Sequence, residues 1–487
     1  MQVYLAGYNV DLDLLNELKK QNPGFADKLT PETISAAYAR ISRDPRPINK
    51  LREVSRNEVE KAKKSNSMII FEMGHSSIAE HVVFNFDIVG LSRLAIEELE
   101  HFRLASYTEK SQRYITLTDD FIVPTLFDEK DKIRFEQMIN QQNLLYHEMF
   151  DKLKVAVFAK NKELAADPKN HRTLEGWVKE DARYVTSLAT EGQLGLTVNA
   201  RTLELMIQRF AASKLAEVSQ LGQTMYEQVK NVAPSVVKYP DSTAYNLNSY
   251  ANISGACNSF DCHLGGESTS VNNEVVLLDH TVDLDDKVLA AVLHTTSNLS
   301  YVEILAKVKI LNDKEKQTIL KKGFKDIKLY NSMLREFEFV DFTFELNISA
   351  ACFGQLKRHR LCSMISQPYD LNCGLKIPQV IKEIGYLDKF MDIAKQTKEI
   401  YRYLKEKYGN SSAEYILLNA HRRRVLIKIN ARELYHLSRL REDVHAQWDI
   451  REVTVQMVEQ AKKVAPLTLF LIGGKDRFQE IYNKVYS

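Results

Sequence analysis

Residues 342–360 read FTFELNISAACFGQLKRHR, and residues 84–103 read FNFDIVGLSRLAIEELEHFR. In the first stretch Phe342, Phe344 and Leu346 alternate with other side chains, the two-residue period of a strand with one buried face. In the second, Phe84, Phe86 and Ile88 do the same. Each run passes into a segment of helical spacing, through Leu91, Leu94, Leu99 and Phe102 in the earlier stretch. Each closes on a basic triplet position, His101-Phe102-Arg103 or Arg358-His359-Arg360, and the later stretch has one residue fewer between matching points.

A second pair of related blocks follows in the same order, VNARTLELMIQR from Val198 and INARELYHLSRL from Ile429. Two blocks repeated in one order mean tandem duplication. The stretch 241–275 between them is rich in Ser, Asn and Gly, which favours turns over packed elements, and is expected to be a linker. The expected architecture is therefore α+β, two tandem copies over 1–240 and 276–487, each a small twisted sheet packed with helices. Phe135 to Leu153 and Ile381 to Tyr408 are charged amphipathic runs, expected to be helices covering the sheets.

Composition bounds the function. A chain of 487 residues buries two full cores without staples. Lys+Arg 66 against Asp+Glu 64 leaves no charge demand for a nucleic acid or a membrane surface. The five cysteines, Cys257, Cys262, Cys352, Cys362 and Cys373, are odd in number and lack a repeated C-x-x-C, so reduced thiols are expected rather than disulfides or structural zinc. The segment MQVYLAGYNVDLDLL has neither the basic flank nor the apolar core of a signal peptide, and no window approaches a membrane span, so a cytoplasmic protein is expected.

Several motifs have bland readings. Basic residues at a helix end complement its dipole. GHSSIAEH (Gly74 to His81) lacks the i, i+4 histidine spacing of a metal helix and reads as a capping or cofactor-contacting loop. HRRR (His421 to Arg424) lacks interleaved aromatics and reads as a solvated face. Cys362, beside guanidinium groups, has the surroundings that activate a thiolate, although a buried structural cysteine is the plainer reading.

Taken jointly, QLKRHR (Gln355 to Arg360), ASYTEKSQRY (Ala105 to Tyr114), EDAR (Glu180 to Arg183), NAREL (Asn430 to Leu434) and the run from Arg439 to Arg451 carry a resemblance. The chain resembles the flavin-dependent thymidylate synthases, whose signature is a QLxRHR helix end and a loop closing on S-x-R-Y. That resemblance implies a homotetramer whose sites draw residues from neighbouring subunits. It implies reductive methylation of dUMP to dTMP, with FAD, NADPH and 5,10-methylenetetrahydrofolate.

The two copies match the family in complementary parts. The first keeps Glu109, Lys110, Ser111, Gln112, Arg113 and Arg183, the implied phosphate-side dUMP contacts, but has Glu98, Phe102 and Phe210 at the flavin and uracil positions. The second keeps Gln355 and Arg358 for dUMP, and Arg358, His359, Arg360, Asn430, Arg432 and His436 for FAD. Ser77 and Glu109 are implied to reach FAD from the first copy, and Arg441 to be catalytic. The second copy's loop, LCSMISQPY, has lost the arginine, and Tyr415 falls near the position of Arg183. A phosphate monoester carries roughly −1.5 to −2 charge and calls for fixed donors, which proline and tyrosine cannot replace. The expectation is one composite site, no resident metal, and a homodimer forming a pseudo-tetramer. A non-catalytic nucleotide- or flavin-binding descendant, and a flavoenzyme acting on a different nucleotide, are the alternatives.

Overall fold

The computed structural model describes residues 1–21, 29–40, 44–238, 240–258 and 273–487. Four antiparallel strands, β1 (Gln2–Tyr8), β2 (Val83–Ser92), β3 (Ala105–Glu109) and β4 (Glu191–Asn199), form one sheet in the order β1-β2-β4-β3. Strands β5 (Val275–His280), β6 (Asp341–Ser349), β7 (Ser363–Ser366) and β8 (Arg422–Asn430) repeat that order as β5-β6-β8-β7. Even the edge irregularity recurs, between Leu5 and Gly7 against β2 and between Leu277 and Asp279 against β6. The alternating residues Phe84, Phe86, Ile88 and Phe342, Phe344, Leu346 are buried, as their period requires.

The one-residue difference between the copies is a β-bulge. Pairing of β2 with β4 shifts register between Val89 and Leu91, whereas β6 pairs with β8 without a shift. Gly90 sits at the shift with φ of 76°, a backbone region that costs glycine nothing. Gly90 to Ser92 thus belong to the strand, and the helix begins only at Arg93, capped by the Ser92 hydroxyl. The matching helix Ala350–Leu356 is capped by Ser349. Both helices stop before the triplets, which lie in the turn beyond.

The chain divides into two compact units whose membership crosses the copies. One comprises the described residues of 1–179, 186–266 and 388–417, and the other those of 180–185, 267–387 and 418–487. Each unit therefore holds one copy's sheet and a segment of the other copy. Helix Leu387–Tyr408, expected to cover a sheet, belongs from Asp388 onward to the first unit. In the first unit its Thr397 hydroxyl accepts from Gln142 of helix Glu129–Lys160 (3.0 Å), and Lys407 pairs with buried Asp131 (2.6 Å). The run from Ile381 is also broken, by Gly385 at φ of 74°, into helices Gln379–Glu383 and Leu387–Tyr408.

Other expectations shift too. Within the stretch read as a linker, Ala244–Asn258 is helical and Val275 opens β5, while 259–272, including Cys262, lie outside the described residues. The HRRR run is not a solvated face. Arg422, Arg423 and Arg424 are half-buried in β8, with Arg423 over the Tyr369 ring (4.5 Å) and Arg422 against Glu274 (3.4 Å). Cys257, Cys352, Cys362 and Cys373 are unbridged, and no helix among the described residues is long and apolar enough to cross a membrane.

Candidate active site

Within the second unit a chain of hydrogen bonds runs from the cap of helix Ala350–Leu356 to Gln355. Ser349 Oγ donates to Asp449 Oδ2 (2.5 Å), and the Tyr184 hydroxyl donates to the same oxygen (2.8 Å). Gln447 Nε2 donates to the Tyr184 oxygen (2.7 Å), and Gln355 Nε2 donates to Gln447 Oε1 (2.9 Å). All five side chains are buried. Trp448 stacks on Tyr184, with ring centroids 5.5 Å apart, and its Nε1–H donates to Asp181 Oδ1 (2.7 Å). Tyr184 and Asp181 come from the first copy's sequence; Gln355 and Gln447 come from the second.

Burial pushes the Asp181 carboxyl up to about 7, against the hydrogen bond from Trp448. Between the ordinary carboxylate range and that value the unfolded chain ionises before the folded one does. The folded state then holds more protons, and stability falls as pH rises from about 4 to about 7. Asp181→Asn keeps an acceptor for Trp448 and removes the titration. Urea unfolding should show the variant gaining a few kcal/mol over the parent at pH 8 and little at pH 4. Parallel pH dependences would count against this assignment.

Beyond the helix, Arg441 Nε donates to His359 Nε2 (3.1 Å) and Arg441 Nη2 to the Gln355 carbonyl (3.1 Å). Because Nε2 accepts, the imidazole hydrogen is on Nδ1, where it meets Glu433 Oε1 (3.2 Å). Burial lowers the His359 pKa despite Glu433, and the Arg441 charge adds to the lowering, so the ring is neutral at pH 7. His359, Glu433 and His436 have ligand atoms within 4.8 Å of one another, a spacing three metal ligands could share. The proton on Nδ1 argues against it, since the nitrogen facing Glu433 has no lone pair to give. His359 instead fixes the Arg441 guanidinium.

The corresponding place in the first unit is filled with aromatic rings. Phe102 and Phe210 occupy the positions of His359 and Arg441 and meet edge to face at 5.6 Å. Gly222 packs so closely that a Cβ there would lie 2.8 Å from Phe210 Cβ. Glu98, at the position of Gln355, accepts from Ser213 (2.7 Å). The anchoring bonds survive: Ser92 Oγ donates to Glu217 (2.6 Å), as does Tyr415 (2.9 Å). Where the second unit has the polar pair His359 and Arg441, the first has the apolar pair Phe102 and Phe210.

The sequence model of the family described as thymidylate synthase complementing protein matches this chain twice, over residues 26–235 and 276–467, one match for each sheet. A flavin-dependent thymidylate synthase of Clostridium tetani is 30% identical over 45% of this chain and 85% of its own. The chain belongs to the flavin-dependent thymidylate synthase family. A UPF0159 protein of Thermoplasma acidophilum is 24% identical over 88% of this chain and 93% of its own, so that relative matches both halves. A crystal structure of flavin-dependent thymidylate synthase from Helicobacter pylori, complexed with FAD and dUMP, aligns with 49% of this chain and 98% of its own at 19% identity. Its TM-score is 0.29, too low to bear on the fold.

As a member of the flavin-dependent thymidylate synthase family, the chain places its motif residues as follows. Gln355, Arg358, His359, Arg360, Asn430, Arg432, His436, Arg441 and also Arg183 belong to the second unit. Ser77 and the loop Glu109 to Arg113 belong to the first, where Ser111 Oγ accepts from the Arg113 backbone N–H (3.2 Å) and Lys110 N–H donates to Gln193 (2.8 Å). Matching backbone hydrogen bonds in the two units make Glu414, not Tyr415, the counterpart of Arg183. Arg93 and Leu94 bond Thr190 and Leu188 just as Ala350 and Ala351 bond His421 and Asn419, which makes Tyr415 the counterpart of Tyr184.

The two NAR blocks have a role in the fold. Asn199 and Asn430 cap their helices, accepting from Thr202 and Glu433 N–H (2.8 Å each). Arg201 pairs with Glu80 (2.5 Å) and Arg432 with Glu338 (2.6 Å), so the glutamate of GHSSIAEH has its equivalent in the second copy. Cys362 is buried, its thiol donating to the His359 carbonyl (2.8 Å), which suits a structural cysteine. Sequence reasoning missed Tyr184, Gln447, Glu433 and Asp449 as site residues. The signal for two of them lay in the run from Arg439 to Arg451, whose AQWDIR segment (Ala446 to Arg451) holds Gln447 and Asp449.

Proposed function

We propose that this chain catalyses reductive methylation of dUMP to dTMP, with 5,10-methylenetetrahydrofolate as carbon donor and NADPH as reductant, at one composite site per chain. The observation that carries this reading is Tyr184: a first-copy residue is hydrogen-bonded to Gln447, which accepts from Gln355 of the second copy, and this supports a site drawn from both copies.

The residues fit a dinucleotide cofactor. Arg358 and Arg360 are half-buried guanidinium groups flanking buried His359, a donor set suited to a pyrophosphate, and exposed His436 lies beside them. FAD, when bound, supplies hydride transfer. Gln355 meets the uracil edge, and Arg441, held by His359 and the Gln355 carbonyl, stabilises negative charge developing on the pyrimidine. The phosphate-side donors are Arg183 in the second unit and, taken separately, Ser111 and Arg113 in the first. Paired chains would recreate four modules with two competent sites, which makes a homodimer the assembly.

The test is dTMP formation by the purified protein supplied with dUMP, FAD, NADPH and methylenetetrahydrofolate. Product supports the reading. Bound FAD without product points to another nucleotide, and neither points to a non-catalytic descendant.

A further inference from the structure

We propose that Tyr184 is a positioning residue that sets which way round the Gln355 amide faces, and so selects a uracil-type base over a cytosine-type one. The inference rests on Gln355 meeting the base, as in the function proposed above.

The direction of each hydrogen bond in the chain follows from the one before it. Ser349 Oγ accepts from the Cys352 N–H (2.9 Å), so its own hydrogen goes to Asp449 Oδ2. The Tyr184 hydroxyl also donates to that oxygen, which leaves the phenolic oxygen as acceptor for Gln447 Nε2. With its nitrogen turned to Tyr184, Gln447 turns Oε1 to Gln355 and accepts from Gln355 Nε2. Reversing the Gln355 amide would bring two carbonyl oxygens face to face among buried groups. The orientation is therefore imposed from Asp449 outward, through Tyr184.

An amide held one way round discriminates between pyrimidines. Uracil presents a donor at N3 beside an acceptor at O4, and cytosine presents an acceptor at N3 beside a donor amino group. The pattern that suits a fixed glutamine for one mismatches it for the other, and a mismatch leaves buried polar groups unpaired. The first copy shows the same relay ended. Tyr415 still donates to Glu217, but Glu98 has a carboxylate, with no amide end to orient, and bonds Ser213 instead.

The experiment is titration calorimetry of dUMP and dCMP into the full-length, FAD-loaded protein, its Tyr184→Phe and Gln447→Met variants, and the double variant. The parent should prefer dUMP, and each single variant should lose about tenfold of that preference, the worth of one mispaired buried hydrogen bond. The double variant should lose no more than either single, because the residues act in series. Equal weakening of both nucleotides with the preference intact would make Tyr184 merely structural and overturn the proposal. Should Tyr184→Phe fail to fold, the same two outcomes read from Gln447→Met decide it. If the parent binds neither nucleotide, the proposed function fails and the proposal with it.

Discussion

Arg441→Ala lowers dTMP formation by on the order of 10²–10³-fold, the usual consequence of removing one fixed donor aimed at developing charge. Arg103→Ala, at the matching triplet of the first copy, leaves it within about twofold, as for an exposed surface residue. The asymmetry follows from what surrounds each position. Arg441 is immobilised at two points, on His359 Nε2 and on the Gln355 carbonyl, so its charge needs no reorganisation when negative charge appears. Arg103 is exposed beside Phe102, which packs on Phe210 where an arginine would have to be. The measurement is initial-rate kinetics with FAD content checked for each variant. Similar losses in both would mean that the aromatic pair has not closed the first copy's site.

Arg183→Ala weakens dUMP binding on the order of tenfold to a hundredfold, the range for hydrogen bonds to a charged group. Glu414→Ala does not weaken it. The two residues are counterparts, yet one brings a guanidinium and the other a carboxylate, which repels a phosphate. Arg183 lies in the same unit as Gln355 and Arg441. Glu414 accepts from Asn410 (2.7 Å), which in turn accepts from the Tyr401 hydroxyl (2.7 Å), a local structural arrangement within the first unit. Equilibrium titration of dUMP checks both, and comparable weakening in the two variants would remove Arg183 from the phosphate site.

The strands were legible because Phe84, Phe86, Ile88 and their counterparts alternate without interruption, and a buried face leaves no other reading. The triplets and the NAR blocks were legible as repeats. Their roles were less so. A motif kept by the copy whose pocket is filled by Phe102 and Phe210 holds the fold, and Asn199 and Asn430 prove to be caps for that reason. The exchange of 180–185 for 388–417 left no trace in periodicity, since a helix's apolar stripe reports that it packs and not on what. The run from Tyr184 to Gln355 was hidden for a similar reason. Its members are neutral amides and a phenol, distant in sequence, and only tertiary packing aligns their hydrogens.

If two copies make one site, the stoichiometry of nucleotide binding reports it. Titrating dUMP into FAD-loaded protein at a concentration far above the dissociation constant should saturate at one nucleotide per 487-residue chain. Saturation at two per chain would show that each copy binds substrate by itself, and would contradict the composite site.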